Sequence, residues 1–289
     1  MSILDRLADA DGAFSLEFFP PKKEMPLDSV YGAIEELSVY KPVFASVTYG
    51  AGGGDSKRTI EISSYVRSLG VEAIAHLTCV GANEKQTENM LNALETAGIY
   101  NILALRGDVP DGISKYKAFK HYKHASDLIK QIKKRGCFTI GAAAYPEAHC
   151  EAPSLLADIG NMKLKISAGA DFFVTQLCFD ENAILNFFDL LCKEGIKTPV
   201  SVGIMPVLNP NQIIRMALLS ACSIPARLSK IVCLYGNDTE SFKKAGIEYA
   251  VNQINTLRDN GINKFHLYTM NKAAEIKTLI SLSGIANLP

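Results

Sequence analysis

The chain lacks the marks of several common function classes. Thirty Lys and Arg residues balance thirty Asp and Glu, so there is no basic excess. That removes the electrostatic footprint expected of a nucleic-acid binder. No apolar run approaches the ~18 residues of a membrane span. The N-terminal stretch Met1-Ser2-Ile3-Leu4-Asp5-Arg6 has an early acid and no long apolar core, so no signal peptide is expected. Seven cysteines stand at 79, 137, 150, 178, 192, 222 and 233, and none form Cys-x-x-Cys. Nor is there a His-Glu-x-x-His spacing. These absences predict no disulfide framework, no metal and a reducing, cytoplasmic location. Linkers, low-complexity tracts and charge blocks are also missing, which predicts one domain over residues 1–289.

What is present is a repeating alternation in a chain of 289 residues that is 48% hydrophobic. Short β-rich runs occur at Ala13–Phe19, Val43–Tyr49, Glu72–Cys79, Tyr100–Arg106, Cys137–Tyr145, Asp171–Cys178, Pro199–Met205 and Lys264–Met270. Between them, apolar residues recur at helical spacing over Asp28–Val39, Ser56–Leu69, Glu84–Ala97, Ser126–Lys134, Ser154–Ala168, Glu181–Glu194, Asn209–Ala221 and Ser241–Asp259. Gly70, Gly98, Gly136, Gly195 and Gly261 follow helical stretches, where glycine is favoured. Eight strand–helix beats in this length predict an α/β fold, a closed (β/α)8 TIM barrel. The last gap is about twice the others and predicts extra helices between strands 7 and 8, at Ala217–Leu228 and Ser241–Asp259, punctuated by Pro225.

Glu17 is the most informative single residue. It lies in Phe14-Ser15-Leu16-Glu17-Phe18-Phe19, an apolar strand ended by Pro20-Pro21. A carboxylate is rarely buried without a reason, and the C-terminal strand ends of such barrels carry the active site. Other polar residues fall at the same level: Ser46 and Thr48, His76 and Thr78, Arg106 and Asp108, Tyr145 to His149, Thr175 and Gln176, then His266, Tyr268 and Thr269. Each alone could be a satisfied core polar group. Polar groups on seven of eight strands point instead to one convergent site. Two local matches carry less. Gly50-Ala51-Gly52-Gly53-Gly54-Asp55 lacks the sixth-position glycine and the downstream acid of a dinucleotide fingerprint, so it reads as a loop over a ligand. Arg106-Gly107-Asp108 matches a cell-adhesion tripeptide only by coincidence.

Taken together, Phe14–Pro21 (FSLEFFPP), Ser46–Gly53 (SVTYGAGG), His76–Cys79 (HLTC), Asn101–Asp108 (NILALRGD), Ala144–His149 (AYPEAH), Thr175-Gln176 and Phe265–Asn271 (FHLYTMN) resemble the bacterial-type methylenetetrahydrofolate reductases. The motifs run in family order from residue 14 to 271. The resemblance implies a (β/α)8 barrel carrying FAD. It also implies reduction of 5,10-methylenetetrahydrofolate to 5-methyltetrahydrofolate, in one-carbon metabolism and methionine biosynthesis, by a ping-pong relay from NADH or NADPH. The methylene bridge is a closed aminal that must open to an iminium before it accepts hydride, and opening needs a proton. Glu17 matches the family's acid. Asp108 matches a carboxylate placed near both flavin and pterin.

By the same resemblance, Thr48, Tyr49, Ala51, His76, Arg106, Gly107 and Asp108 match FAD-lining positions. Ala125, Tyr145, His149, Ala152, Asp158, Asn161 and Lys165 do so too. Glu17, Asp108, Gln176, Gln212 and Lys272 match positions that meet the folate. The chain departs from the family pattern at Leu164, where an Arg often contacts the FAD diphosphate, and at His124, where Tyr is common. Met216 occupies an aromatic position, and Lys272 replaces an Arg that grips the folate tail. These departures bear on FAD affinity and on the electron donor. They leave open a second reading, a flavin subunit that takes electrons from a partner protein. A third reading is a pterin-binding barrel without redox chemistry. Whether the chain forms a homo-oligomer is also open. The end at Pro289 predicts no C-terminal regulatory domain and no inhibition by S-adenosylmethionine.

Overall fold

The computed structural model describes residues 2–8, 12–21, 24–49, 56–109 and 112–287. Helix α1 (Ile3–Ala8) precedes β1 (Ala13–Phe18), followed by α2 (Asp28–Ser38), β2 (Ala45–Val47), α3 (Ser56–Ser68), β3 (Ala73–Thr78), α4 (Glu84–Thr96) and β4 (Asn101–Leu105). Then come α5 (Lys115–Ala118), α6 (Ala125–Lys133), β5 (Thr139–Ala144), α7 (Leu155–Ala168), β6 (Phe172–Thr175), α8 (Glu181–Lys193) and β7 (Val200–Ile204). The chain finishes with α9 (Pro210–Ser220), α10 (Ala226–Tyr235), α11 (Thr239–Asp259), β8 (Lys264–Tyr268) and α12 (Ala273–Ser283). Neighbouring strands are parallel and β1 pairs with β8, so the sheet closes in the order β1 to β8. This is a (β/α)8 TIM barrel.

Strand side chains alternate between two destinations. Leu16, Val47 and Leu267 pack with helix residues such as Ile34 and Leu279, and Ala75, Ile102 and Ala142 pack with Leu91 and Leu128. Residues of the other parity face the barrel axis. There the lower layer is apolar: Phe44, Ile74, Leu103 and Phe172 cluster with Ile3 and Leu7 of α1, which closes that end. Towards the C-terminal strand ends the inward residues turn polar, with Ser15, Glu17, Ser46, His76, Ser201 and His266 all buried. Glycine makes room at two inward positions. A Cβ on Gly141 would overlap the Phe172 ring, and one on Gly203 would overlap the Tyr268 ring. At the level of Gly203, above Ser201, β7 therefore adds no side chain, and Tyr268 occupies the space.

All eight strands lie inside the stretches expected from sequence, each trimmed at one or both ends. The expected helix Ala217–Leu228 does not form. Helix α9 ends at Ser220, Ala221 turns left-handed with φ 51°, and Pro225 is the N-cap of a separate helix, α10. Proline is tolerated at a helix start and not in its interior, so the break falls where it must. No helix among the described residues is long and apolar enough to cross a membrane.

Candidate active site

The C-terminal strand ends surround a cavity of about 850 Å³. Of the residues singled out by sequence, Glu17, Thr48, Tyr49, His76, Arg106, Gly107, Asp108, Tyr145 and Gln176 line it. Ala51 lies outside the described residues. Strand register explains the convergence. Glu17 stands opposite Ser46 on β2 and Tyr268 on β8, so the side chains nearest it come from three strands far apart in sequence.

Glu17 is 6% exposed, and its described polar contacts all fall on one oxygen. The Ser46 hydroxyl is 3.5 Å from Oε2, His266 Nε2 is 3.4 Å away, and His76 Nε2 is also 3.4 Å away. The His76 contact is off the hydrogen-bond direction, leaving that nitrogen without a hydrogen-bond partner. Oε1 has no hydrogen-bond partner among the described residues, and Glu17 lines the cavity. The backbone beneath is fixed as well, because Thr269 donates to the Glu17 carbonyl through both its amide and its hydroxyl. Burial pushes the His76 imidazole down to about 4, so its ring is neutral at physiological pH. The Tyr268 phenol donates to Thr175 O at 2.7 Å, and burial holds it well above its usual range.

A second cluster adjoins the cavity through Tyr145 and Ala143. Asp158 Oδ2 accepts from the His149 amide at 2.9 Å, and Oδ1 accepts from Asn161 at 3.2 Å. The Ala152 amide donates to His149 O, and the Tyr145 and His149 rings meet edge to face at 4.9 Å. Lys165 Nζ donates to Ala143 O at 2.7 Å and lies 5.5 Å from the Tyr145 ring centre. Burial lowers this ammonium to about 8, partly opposed by the Asp158 charge. No carboxylate among the described residues forms an ion pair with it. A largely buried cation with one carbonyl partner suits an anionic ligand. Ala125 is buried at the first turn of α6, whose N-cap is His124. Leu164 beside Lys165 is exposed.

Arg106 lines the cavity, but its guanidinium turns to Glu151. The two form a forked pair at 2.9 and 2.6 Å, with Phe119 beneath the guanidinium at 4.7 Å. The Arg106 pairing, with Lys115 adding to it, holds the Glu151 carboxyl down at about 2. Nothing local in the sequence pointed to Glu151.

Two of the folate-binding candidates are not brought to the cavity wall. The Gln212 side chain turns back onto its own loop, accepting from the Leu208 amide at 2.8 Å and donating to Met205 Sδ at 3.7 Å. Lys272 is exposed at the N-cap of α12. Conversely, Arg215 and Leu219 of α9 line the cavity without having been singled out. Their signal was available: they follow Gln212 at helical spacing, on the face that Gln212 marks. The polar end of the barrel thus offers a carboxyl with one free oxygen for proton transfer, and a neighbouring cation for anion binding.

A family description, methylenetetrahydrofolate reductase, matches residues 2–284. The 5,10-methylenetetrahydrofolate reductase of Escherichia coli (strain K12) is 37% identical over 92% of this chain and 90% of its own length. The Arabidopsis thaliana protein named methylenetetrahydrofolate reductase (NADH) 1 is 35% identical over 94% of this chain and 49% of its own length. Among solved structures, a Clostridium thermocellum protein that binds two copies of 5-methyl-5,6,7,8-tetrahydrofolic acid shares the fold. Its TM-score is 0.65 at 18% identity, with 100% of each chain covered.

Proposed function

The chain belongs to the methylenetetrahydrofolate reductase family, an oxidoreductase family acting on a folate, and from that premise we propose a flavin-dependent reduction of 5,10-methylenetetrahydrofolate to 5-methyltetrahydrofolate with NADH or NADPH as reductant. The single observation that carries the chemical reading is Glu17, a buried carboxyl that lines the cavity and whose described polar contacts all fall on Oε2. The Clostridium thermocellum neighbour binds the same product on the same fold, which supports the folate as the ligand class.

The residues present fit an FAD. Thr78 Oγ1 and His76 Nε2 are buried without hydrogen-bond partners on β3, beside the cavity, where a ligand with polar edges would supply them. Gly107 has φ +78°, and a Cβ there would meet Val80 Cγ1 at 2.8 Å, so the β4 backbone stays bare at the rim. Thr48, Tyr49, Ala51, His76, Arg106, Gly107, Asp108 and Tyr145 would hold the ring system. Ala125, His149, Ala152, Asp158, Asn161 and Lys165 would hold the rest, with the Lys165 ammonium on the diphosphate. The bound flavin would accept hydride from the nucleotide and supply it to the one-carbon unit.

The remaining chemistry belongs to the chain. Glu17 delivers a proton from Oε1 to open the aminal. Asp108, exposed at the end of β4, supplies negative charge beside the cation that results. Gln176 orients the folate within the cavity. Gln212 and Lys272 reach it only after their side chains leave their present positions. The whole of residues 1–289 acts as one catalytic barrel. The second reading, electrons from a partner protein, has one feature in its favour. Ile214, Leu218 and Leu234 expose a strongly apolar face on α9 and α10, close to the cavity residues Arg215 and Leu219.

The test is spectroscopic. Purified protein should show flavin absorbance and bleach anaerobically with NADH or NADPH. Methylenetetrahydrofolate should then restore the colour. Absence of flavin would overturn the reading. Flavin that neither nucleotide bleaches would transfer the donor role to a partner protein.

A further inference from the structure

Resting on the reading of Glu17 as the proton donor, we propose that His266 is its positioning residue. The ring is fully buried on β8 and does not line the cavity, so it meets no ligand directly. Its Nδ1 is 2.7 Å from Ser15 Oγ, whereas the other acceptor near that hydroxyl, Phe265 O, is 3.3 Å away. A hydroxyl hydrogen bond is best near 2.7–2.8 Å. Ser15 therefore gives its proton to Nδ1, and the imidazole carries its own proton on Nε2.

That assignment makes every hydrogen in the cluster point the same way. Nε2–H lies 3.4 Å from both Glu17 Oε2 and Ser46 Oγ, and Ser46 in turn donates to Oε2. The ring cannot swing away: Phe44 packs at 5.6 Å on one side and Tyr268 stands edge-on at 5.5 Å. The titratable groups facing Glu17 are His266 and Tyr268 from β8 and His76 from β3; β2 contributes only a hydroxyl. His76 is neutral and Tyr268 stays protonated, so the Nε2–H of His266 is the fixed donor of this group.

The consequence is a division between the two carboxyl oxygens. In the resting acid the proton sits on Oε1, because Oε2 is surrounded by donors. On transfer, the Oε1–H bond breaks, the proton goes to a bridging nitrogen of the substrate, and the electron pair stays on the carboxylate. The new charge is met at Oε2 by Nε2–H and the Ser46 hydroxyl. Contacts of 3.4–3.5 Å are long at rest, as catalytic hydrogen bonds often are before the reacting complex forms.

The decisive variants are His266→Leu, His266→Gln and Ser15→Ala in the flavin-loaded enzyme. His266→Leu should slow reoxidation by methylenetetrahydrofolate ~10–100-fold while leaving reduction by the nucleotide unchanged. His266→Gln, which can still present an N–H to Oε2, should recover most of the rate. Ring ¹⁵N shifts of the resting protein should report the Nε2–H tautomer, and Ser15→Ala should weaken that preference. No recovery of rate in His266→Gln, equal slowing of both half-reactions, or an Nδ1–H tautomer in the wild type would overturn the proposal. If His266→Leu does not fold, Ser15→Ala decides through its ¹⁵N shifts and its effect on the folate half-reaction alone. Wild-type protein unable to reduce the folate would instead overturn the function proposed above, leaving the tautomer measurement intact.

Discussion

Two layers of the same barrel interior behave as different materials. The lower one, Phe44, Ile74, Leu103 and Phe172, is an apolar plug sealed by α1. The upper one, nearer the C-terminal strand ends, holds Ser15, Glu17, Ser46, His76 and His266. Both layers are buried, so burial alone does not separate core from site. What separates them is partnering. The lower side chains need only contact, while the upper ones need donors and acceptors placed by strand register. Stability and chemistry are thus divided along the strand axis, within the same inward-facing parity.

That division should survive a pair of opposite substitutions. Glu17→Gln is nearly isosteric, so the upper layer keeps its packing and loses its acid. Folate reduction should fall ~10²–10⁴-fold, the typical contribution of a positioned acid. Nucleotide-driven flavin reduction and the melting temperature should hardly change. Near-normal folate turnover in this variant would remove Glu17 from the chemistry. Phe172→Ala should do the reverse. Removing a fully buried ring costs about 3–5 kcal/mol of stability. Denaturant unfolding should register it, while the protein that remains folded keeps both half-reactions in proportion. If Phe172→Ala spared stability and slowed only the folate step, the two layers would not be separable.

The sequence carried the barrel well and the site in part, for a physical reason. Strand and helix periods are local, and so are stop signals: Gly70, Gly98, Gly136, Gly195 and Gly261 all have positive φ at the turns they mark. Glu17 was legible because a carboxylate inside an aromatic strand ended by two prolines violates the local pattern. Pairings between distant elements had no such signal. Glu17 and His266 lie 249 residues apart, and Arg106 and Glu151 lie 45 apart. The inward turn of Gln212 onto Leu208 depends on the loop after β7, which no periodicity describes. Of the two extra helices expected before β8, Ser241–Asp259 lies within α11, whereas Ala217–Leu228 does not form, because α9 ends at Ser220 and Pro225 opens α10.

The polar layer also has a cost that acid should expose. The His76 imidazole is held near about 4, below its ordinary 6.5, because burial disfavours the charged ring. Between those two values the unfolded chain takes up a proton that the folded one refuses. Stability therefore falls as pH drops from about 6.5 to 4, by roughly 3 kcal/mol for this group. The lower layer contains no titratable group and contributes no such slope. Urea unfolding at pH 7 and pH 5 should show a smaller acid loss in His76→Asn than in the wild type. Equal losses in the two proteins would mean that His76 is not the group responsible.

The smallest expected effect tests the cluster beside the cavity, where a charge rather than a proton donor is at work. Lys165 is held down at about 8 by burial, with a single carbonyl as its described hydrogen-bond partner. A diphosphate arriving beside it would favour the ammonium and raise its affinity for the proton. Binding above pH 8 must then take up a proton, and affinity must weaken as pH rises. Neighbouring groups leave this window clear: Tyr145 is pushed up to about 12, and burial lowers His149 from 6.5. The Kd for FAD, read from flavin fluorescence, should rise about tenfold between pH 7 and pH 9, the limit for one group titrating near 8. Lys165→Met should bind more weakly at pH 7 and show no such slope. A wild-type affinity that stays flat to pH 9, or a slope that persists in the methionine variant, would place the diphosphate elsewhere and make Lys165 a structural cation serving only Ala143.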